Sequence, residues 1–109
     1  MVSVRAEKSF VRVLNALAEL ETLSSVGEFA GTEAWVARLE RRLDRYLLLT
    51  QHFSSHQPAL TADLLRALQH RVTDAVHAGD RSAVFATAAD LREELAAHFR
   101  SLSTEAHAP

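Results

Sequence analysis

The chain has no cysteine among its 109 residues. A disulfide framework, a thiol nucleophile and a thiolate metal site are therefore excluded. Glycine (3) and proline (2) are scarce, so the backbone has few points where it must turn, which with abundant Ala and Leu favours long helices over sheet. No apolar run approaches the roughly 18 residues that a membrane span needs. The opening MVSVRAEKSF also lacks the apolar stretch of a secretory signal, so a cytoplasmic protein with no membrane partner is expected. An excess of one charge is missing too: 12 basic against 14 acidic residues gives a net charge of -2. Such a balance exerts no general pull on nucleic acid or anionic lipid, and nucleic acid is not an expected partner. There is no Gly-rich phosphate loop, and no Ser, His and Asp can be placed in a triad by spacing. No catalytic residue is expected.

What the chain does contain is 48% hydrophobic and 24% charged residues, enough for one domain with one core. Breakers and caps divide it into four helices. The first runs from about Val4 to Leu23 and stops at Ser24-Ser25-Val26-Gly27, where Ser and Gly favour a turn. The second begins after Gly31, with Thr32 as N-cap and Glu33 in its first turn, and runs to about His56 before Pro58,. Thr61, or the residues just before it, opens the third, with Asp63 in its first turn. Ala78-Gly79-Asp80 separates the third from the fourth: Gly79 can take the left-handed conformation that closes one helix while Asp80 caps the next. The segment Ser103 to Pro109 is polar and expected to fray,. The fold class that follows is all-α, a single antiparallel four-helix bundle.

Placing residues at intervals of about 100° shows which faces are apolar. On the second helix Trp35, Val36, Leu39, Leu43, Tyr46 and Phe53 share one face, and Arg41, Arg45 and His52 lie opposite. Leu64, Leu65, Leu68, Val72 and Val76 form the stripe of the third, with His70 and His77 turned away from it. Val84, Ala88, Leu91, Leu95, Phe99 and Leu102 form that of the fourth, with His98 at its edge near Glu94. The cluster Arg38, Arg41, Arg42 and Arg45 alternates with Glu40 and Asp44, which predicts a solvated, salt-bridged helix face.

The first helix departs from this economy. Phe10, Val11, Val13, Leu14, Leu17, Ala18 and Leu20 spread over about half its circumference, wider than the stripe that one neighbour covers,. Leu47, Leu48 and Leu49 likewise cannot all turn to one side, and Leu48 falls among the arginines. A deep position in the bundle explains such a surplus; so does a homodimer or partner surface. The second explanation predicts partner contacts by Phe10, Val13, Leu17 and Leu20 on helix one and by Arg41, Arg45 and Leu48 on helix two. Polar replacement of Phe10 and Leu17 would then disrupt assembly with limited loss of helicity. On that expectation the chain is a non-catalytic protein-binding module, a small adaptor or regulator that pairs with itself or with another protein.

The histidines offer different chemistry. His52 and His56 have the i, i+4 spacing that can supply two nitrogens to zinc or iron, but a site needs further ligands converging from another helix. Phe53 stands where the metalloprotease helix would have its Glu,. His98 is the one inward-facing candidate for a further ligand. The alternative expectation is thus an iron- or zinc-binding site of His52, His56 and His98, set against a solvated polar face and a His98 held by Glu94.

Two families share part of this pattern. The segment AGDRSAVFATAADLREELAAHF, Ala78 to Phe99, resembles the stretch of hemerythrin-like domains that leads into their conserved His-Phe. That resemblance implies a four-helix bundle holding two irons and binding or sensing dioxygen, with His98 and one of His52 or His56 as ligands; Leu102 occupies the place of the family's following Glu. LDRYLLL (Leu43 to Leu49) followed by LLRALQHRVTDAVHAGDRSAVF (Leu64 to Phe85) is similar to the early helices of the Rsd and AlgQ regulators, which bind the main sigma factor of bacterial RNA polymerase. This resemblance implies a partner-binding, non-catalytic role.

Overall fold

The computed structural model describes residues 4–51 and 58–107, with side chains for 4–51 and 61–102. Four helices follow one another: α1 (Val4–Ser25), α2 (Glu33–Thr50), α3 (Pro58–His77) and α4 (Arg81–His107). Among the described residues there is no strand, and no helix is long and apolar enough to cross a membrane.

The helix ends show how sparse glycine is used. Gly27 and Gly79 both have left-handed backbone, at φ +75° and +64°. At each, the glycine N–H donates three residues back and the next N–H five residues back: Gly27 to Ser24 and Glu28 to Leu23, Gly79 to Val76 and Asp80 to Ala75. This double bond absorbs carbonyls that the helix end leaves unpaired, and a side chain at the glycine position would be strained. Asp80 caps α4 through Oδ1, which accepts from the Ala83 N–H at 3.1 Å, as its sequence position predicts.

The start of α2 differs from expectation. Thr32 occupies the cap position of α2 but has helical backbone and makes no cap bond; its hydroxyl donates instead to the Phe29 carbonyl at 2.8 Å. α3 begins at Pro58, among the residues just before Thr61, because proline lacks only an N–H that the first turn would leave unpaired. α4 runs to His107; nothing between Asp80 and His107 breaks a helix. The expected run of α2 to His56, and Phe53 within it, lie outside the described residues.

The helices form a ring in which each packs on the next and α4 closes back on α1. Cross-links give their directions. Arg38 of α2 reaches Glu19 of α1 at 3.4 Å and Arg42 reaches the Arg12 carbonyl at 2.9 Å, so α1 and α2 are antiparallel. Arg92 pairs with Glu21, and Arg81 Nε donates to the Ser24 carbonyl at 3.1 Å, so α4 is antiparallel to α1. The result is an up-down-up-down bundle measuring 49 × 23 × 17 Å.

This topology explains the wide apolar face of α1. Because α1 packs against both α2 and α4, most of that face is used inside the protomer, although Val11 and Ala18 of the same arc stay exposed. Val13, Leu17 and Leu20 are fully buried in the common core with Leu39 and Leu43 of α2, Val72 of α3, and Leu91 and Leu95 of α4. Phe10 and Leu14 pack against that core from its margin. The expectation that Val13, Leu17 and Leu20 meet a partner is therefore corrected: they have no surface to offer. Of the leucine run, Leu47 is buried and Leu48 is 60% exposed. Leu64 was expected in the stripe of α3 but is exposed, since adjacent residues stand about 100° apart and Leu65 takes the inward position. Gln69 is buried in its stead and donates to the Thr73 hydroxyl at 2.8 Å.

A polar residue at Leu17 should consequently unfold the bundle rather than merely separate partners. Leu17→Ala is expected to cost about 2–5 kcal/mol, while Leu48→Ala should stay within about 0.5 kcal/mol of the parent. Urea unfolding followed by far-ultraviolet circular dichroism measures both, and equal losses would contradict the assignment of Leu17 to the core.

Candidate functional site

The largest departure from the chain's even charge balance lies between α1 and α2. On α1, Arg5, Lys8 and Arg12 recur at i, i+3 and i+7 and so share a face; on α2, Arg38, Arg41, Arg42 and Arg45 do the same,. The antiparallel packing brings the two rows to opposite walls of one groove. Two adjoining clefts, of about 170 and 270 Å³, run along it and share Ser9, Arg12 and Arg45. Ser9, nearly buried, forms the floor, and Leu49 closes the end beside Arg5 and Arg45. Of the 12 basic residues in the chain, this groove gathers seven.

Few of these charges are neutralised locally. Arg38 pairs with Glu19 at 3.4 Å and lies 4.5 Å over the Trp35 ring. Arg42 spends one N–H on the Arg12 carbonyl. Among the described residues, Arg5, Lys8, Arg12, Arg41 and Arg45 make no ion pair. The salt-bridged face expected from the alternation with Glu40 and Asp44 does not form: Asp44 turns to Arg66 of α3 at 3.5 Å, and Glu40 stands exposed. Lys8 with Arg12, Arg38 with Arg42 and Arg41 with Arg45 are like-charge pairs at i, i+4, each of which destabilises a helix by roughly 0.2–0.5 kcal/mol. The groove is thus held in place by the core against its own repulsion.

Apolar side chains stand on both rims. Leu48 follows Arg41 and Arg45 on the same face of α2 and is 60% exposed. Across the groove, Val4 and Val11 are 65% and 46% exposed and line a neighbouring shallow cleft with Glu7. Of the partner residues predicted from sequence, the structure brings together Arg41, Arg45 and Leu48. Phe10 stands apart, half-buried and stacked on Phe99 with ring centroids 4.4 Å apart. Sequence reasoning missed Arg5, Lys8, Ser9 and Arg12. Their cation spacing was a usable signal, but only the α1–α2 pairing shows that it faces a second basic row.

His98 is half-buried where α1, α2 and α4 meet. Its Nδ1 and the Tyr46 hydroxyl share a 2.7 Å hydrogen bond, in place of the Glu94 pairing expected, and the two rings meet edge to face at 5.4 Å. Phe10 lies against Tyr46 with centroids 6.1 Å apart. One aromatic cluster thus ties three helices together, and the diagonal pair α2 and α4 is joined through the core. Burial pushes the Tyr46 phenol up from its ordinary 10.0, because the phenolate would lose its water. His52 and His56 lie outside the described residues. Among the described residues, no three His, Asp or Glu side chains converge as a metal site would require.

Two outcomes follow. The neutral phenol is the form the fold holds, so Tyr46 contributes stability at neutral pH that is lost as pH rises past about 10, where the unfolded chain's tyrosine ionises. As Tyr46 is the only tyrosine, phenolate absorbance should appear together with alkaline unfolding, and Tyr46→Phe should remove that slope. For the groove, Arg41→Gln with Arg45→Gln should raise stability at low ionic strength by a few tenths of a kcal/mol, about one like-charge pair, and the gain should vanish in high salt. Thermal melts at two salt concentrations measure it. Comparison with protein-family models, with curated proteins and with solved structures returns no match to this chain.

Proposed function

We propose that the chain is a non-catalytic protein-binding module, a small adaptor or regulator, that receives its partner on the α1–α2 face. The observation that carries this is the coexistence of a largely un-neutralised basic groove with exposed aliphatic rims at Leu48, Val4 and Val11. Protein interfaces combine apolar anchors with charged groups in this way, and arginine is enriched in them. The resemblance of Leu43–Leu49 and Leu64–Phe85 to sigma-factor regulators points in the same direction. Self-association through Val13, Leu17 and Leu20 is not retained, since those side chains fill the core. A two-fold dimer across the groove would set cations against cations, so a different protein is the better partner.

No observation favours the iron or zinc alternative.

A photo-crosslinking residue at position 48, with position 70 on α3 as an exposed control, tests the face directly in cells. A discrete protein adduct at 48, absent at 70 and lost on adding Arg41→Glu and Arg45→Glu, is expected. Adducts of equal yield from both positions, or none, would reject the α1–α2 face.

A further inference from the structure

We propose that the groove takes an acidic amphipathic helix of a partner protein, its carboxylates set between the two basic rows and its aliphatic residues on the rims. This deepens the protein-binding function and rests on it. Length comes first. Arg5 to Arg12 and Arg38 to Arg45 each span seven steps, which at about 1.5 Å per residue is roughly 10 Å, or two helical turns. Glu or Asp at i, i+4 and i+7 of a ligand helix covers the same distance along one face. Shape agrees: the groove runs between two antiparallel helices with Ser9 as a small floor residue, and ridges of a third helix seat in such a channel.

Charge gives the next constraint. Five of the lining cations, Arg5, Lys8, Arg12, Arg41 and Arg45, have no ion-pair partner among the described residues. Four of them are arginines, whose planar guanidinium presents paired donors to a carboxylate. An acidic ligand would cancel the like-charge repulsion within each row as well as gaining its own contacts.

The rims then decide between classes of polyanion. Nucleic acid offers phosphates and stacking bases, yet no aromatic side chain lines the groove among the described residues, and stacking platforms are what single-stranded ligands need. An anionic membrane is flat and would meet the rims before the floor of a concave channel. Leu48 on one side and Val4 and Val11 on the other instead suit a helix whose acidic stripe is bordered by Leu or Val.

A fluorescein-labelled synthetic helix with Glu at i, i+4 and i+7 bordered by Leu provides the probe, titrated with the full chain and followed by anisotropy. Its Glu→Gln counterpart, a single-stranded oligouridylate and vesicles of phosphatidylcholine with phosphatidylglycerol are the competitors. Saturable one-to-one binding of the Glu helix is expected, weakening as salt rises and at least tenfold tighter than the Gln helix, about 1.4 kcal/mol. Arg12→Glu with Arg45→Glu should abolish it. Arg41→Gln, a milder change, should weaken it several-fold with unchanged circular dichroism, which keeps the result readable if charge reversal unfolds the chain. Leu48→Ser should weaken it at high salt as well as low, as loss of an apolar contact does. Failure of the Glu helix to bind, tighter binding of the oligonucleotide or vesicles, or indifference to Leu48→Ser would each overturn the proposal. A position-48 protein adduct without Glu-helix binding would remove the acidic helix and leave the protein-binding function intact.

Discussion

The packing of α1 against two neighbours at once is the constraint on which the rest of the molecule depends. Val13, Leu17 and Leu20 can all be buried only if α2 lies on one side and α4 on the other, and that placement determines where every remaining side chain of α1 points. Phe10 is carried to the margin where Phe99 stacks on it, and the row Arg5, Lys8 and Arg12 is carried to the flank of α2. Hydrophobic burial is worth about 25 cal/mol per Å², so a core of this extent outweighs the few tenths of a kcal/mol by which each like-charge pair resists. The groove is a by-product of core packing that the core is strong enough to hold.

The two polar features are built on different terms. Tyr46 and His98 satisfy one another across the diagonal of the bundle, and a buried donor matched to an acceptor mainly specifies which helices meet. The arginine groove is open to water and largely unmatched, so its free energy is available to whatever arrives. Exposed cations within a Debye length of one another also lend such a surface its attraction for acidic partners at a distance, and that attraction falls with salt. The near-neutral whole conceals this local field.

Much of the architecture was legible in the residues. The four segments, the Gly79–Asp80 junction and the outward turn of His70 and His77 all follow from helical periodicity and cap chemistry. What periodicity alone does not supply is the identity of the neighbour. An apolar arc of half a circumference means a partner protein or two helices of the same chain, and only topology separates these. The same gap hid the groove: the spacing of Arg5, Lys8 and Arg12 was visible, but its meaning depends on Arg41 and Arg45 lying opposite. Glu40 and Asp44 misled for a related reason, since intrahelical pairing competes with pairing to a neighbour, and Arg66 of α3 won Asp44. Thr32 shows the limit of cap rules, because its helical backbone does not aim its hydroxyl oxygen at the amides of α2, and the hydroxyl donates to the preceding turn,.

The single tryptophan has a consequence of its own. Trp35 lies half-buried beneath the guanidinium of Arg38, which also lines the groove, while the single tyrosine is sealed in the core. The molecule therefore carries two native optical reporters with separate fields of view. Indole emission senses whatever draws Arg38 away from its ring as well as unfolding, whereas phenol absorbance senses only the opening of the bundle, so a change in the first without the second marks occupancy of the groove in the unlabelled chain.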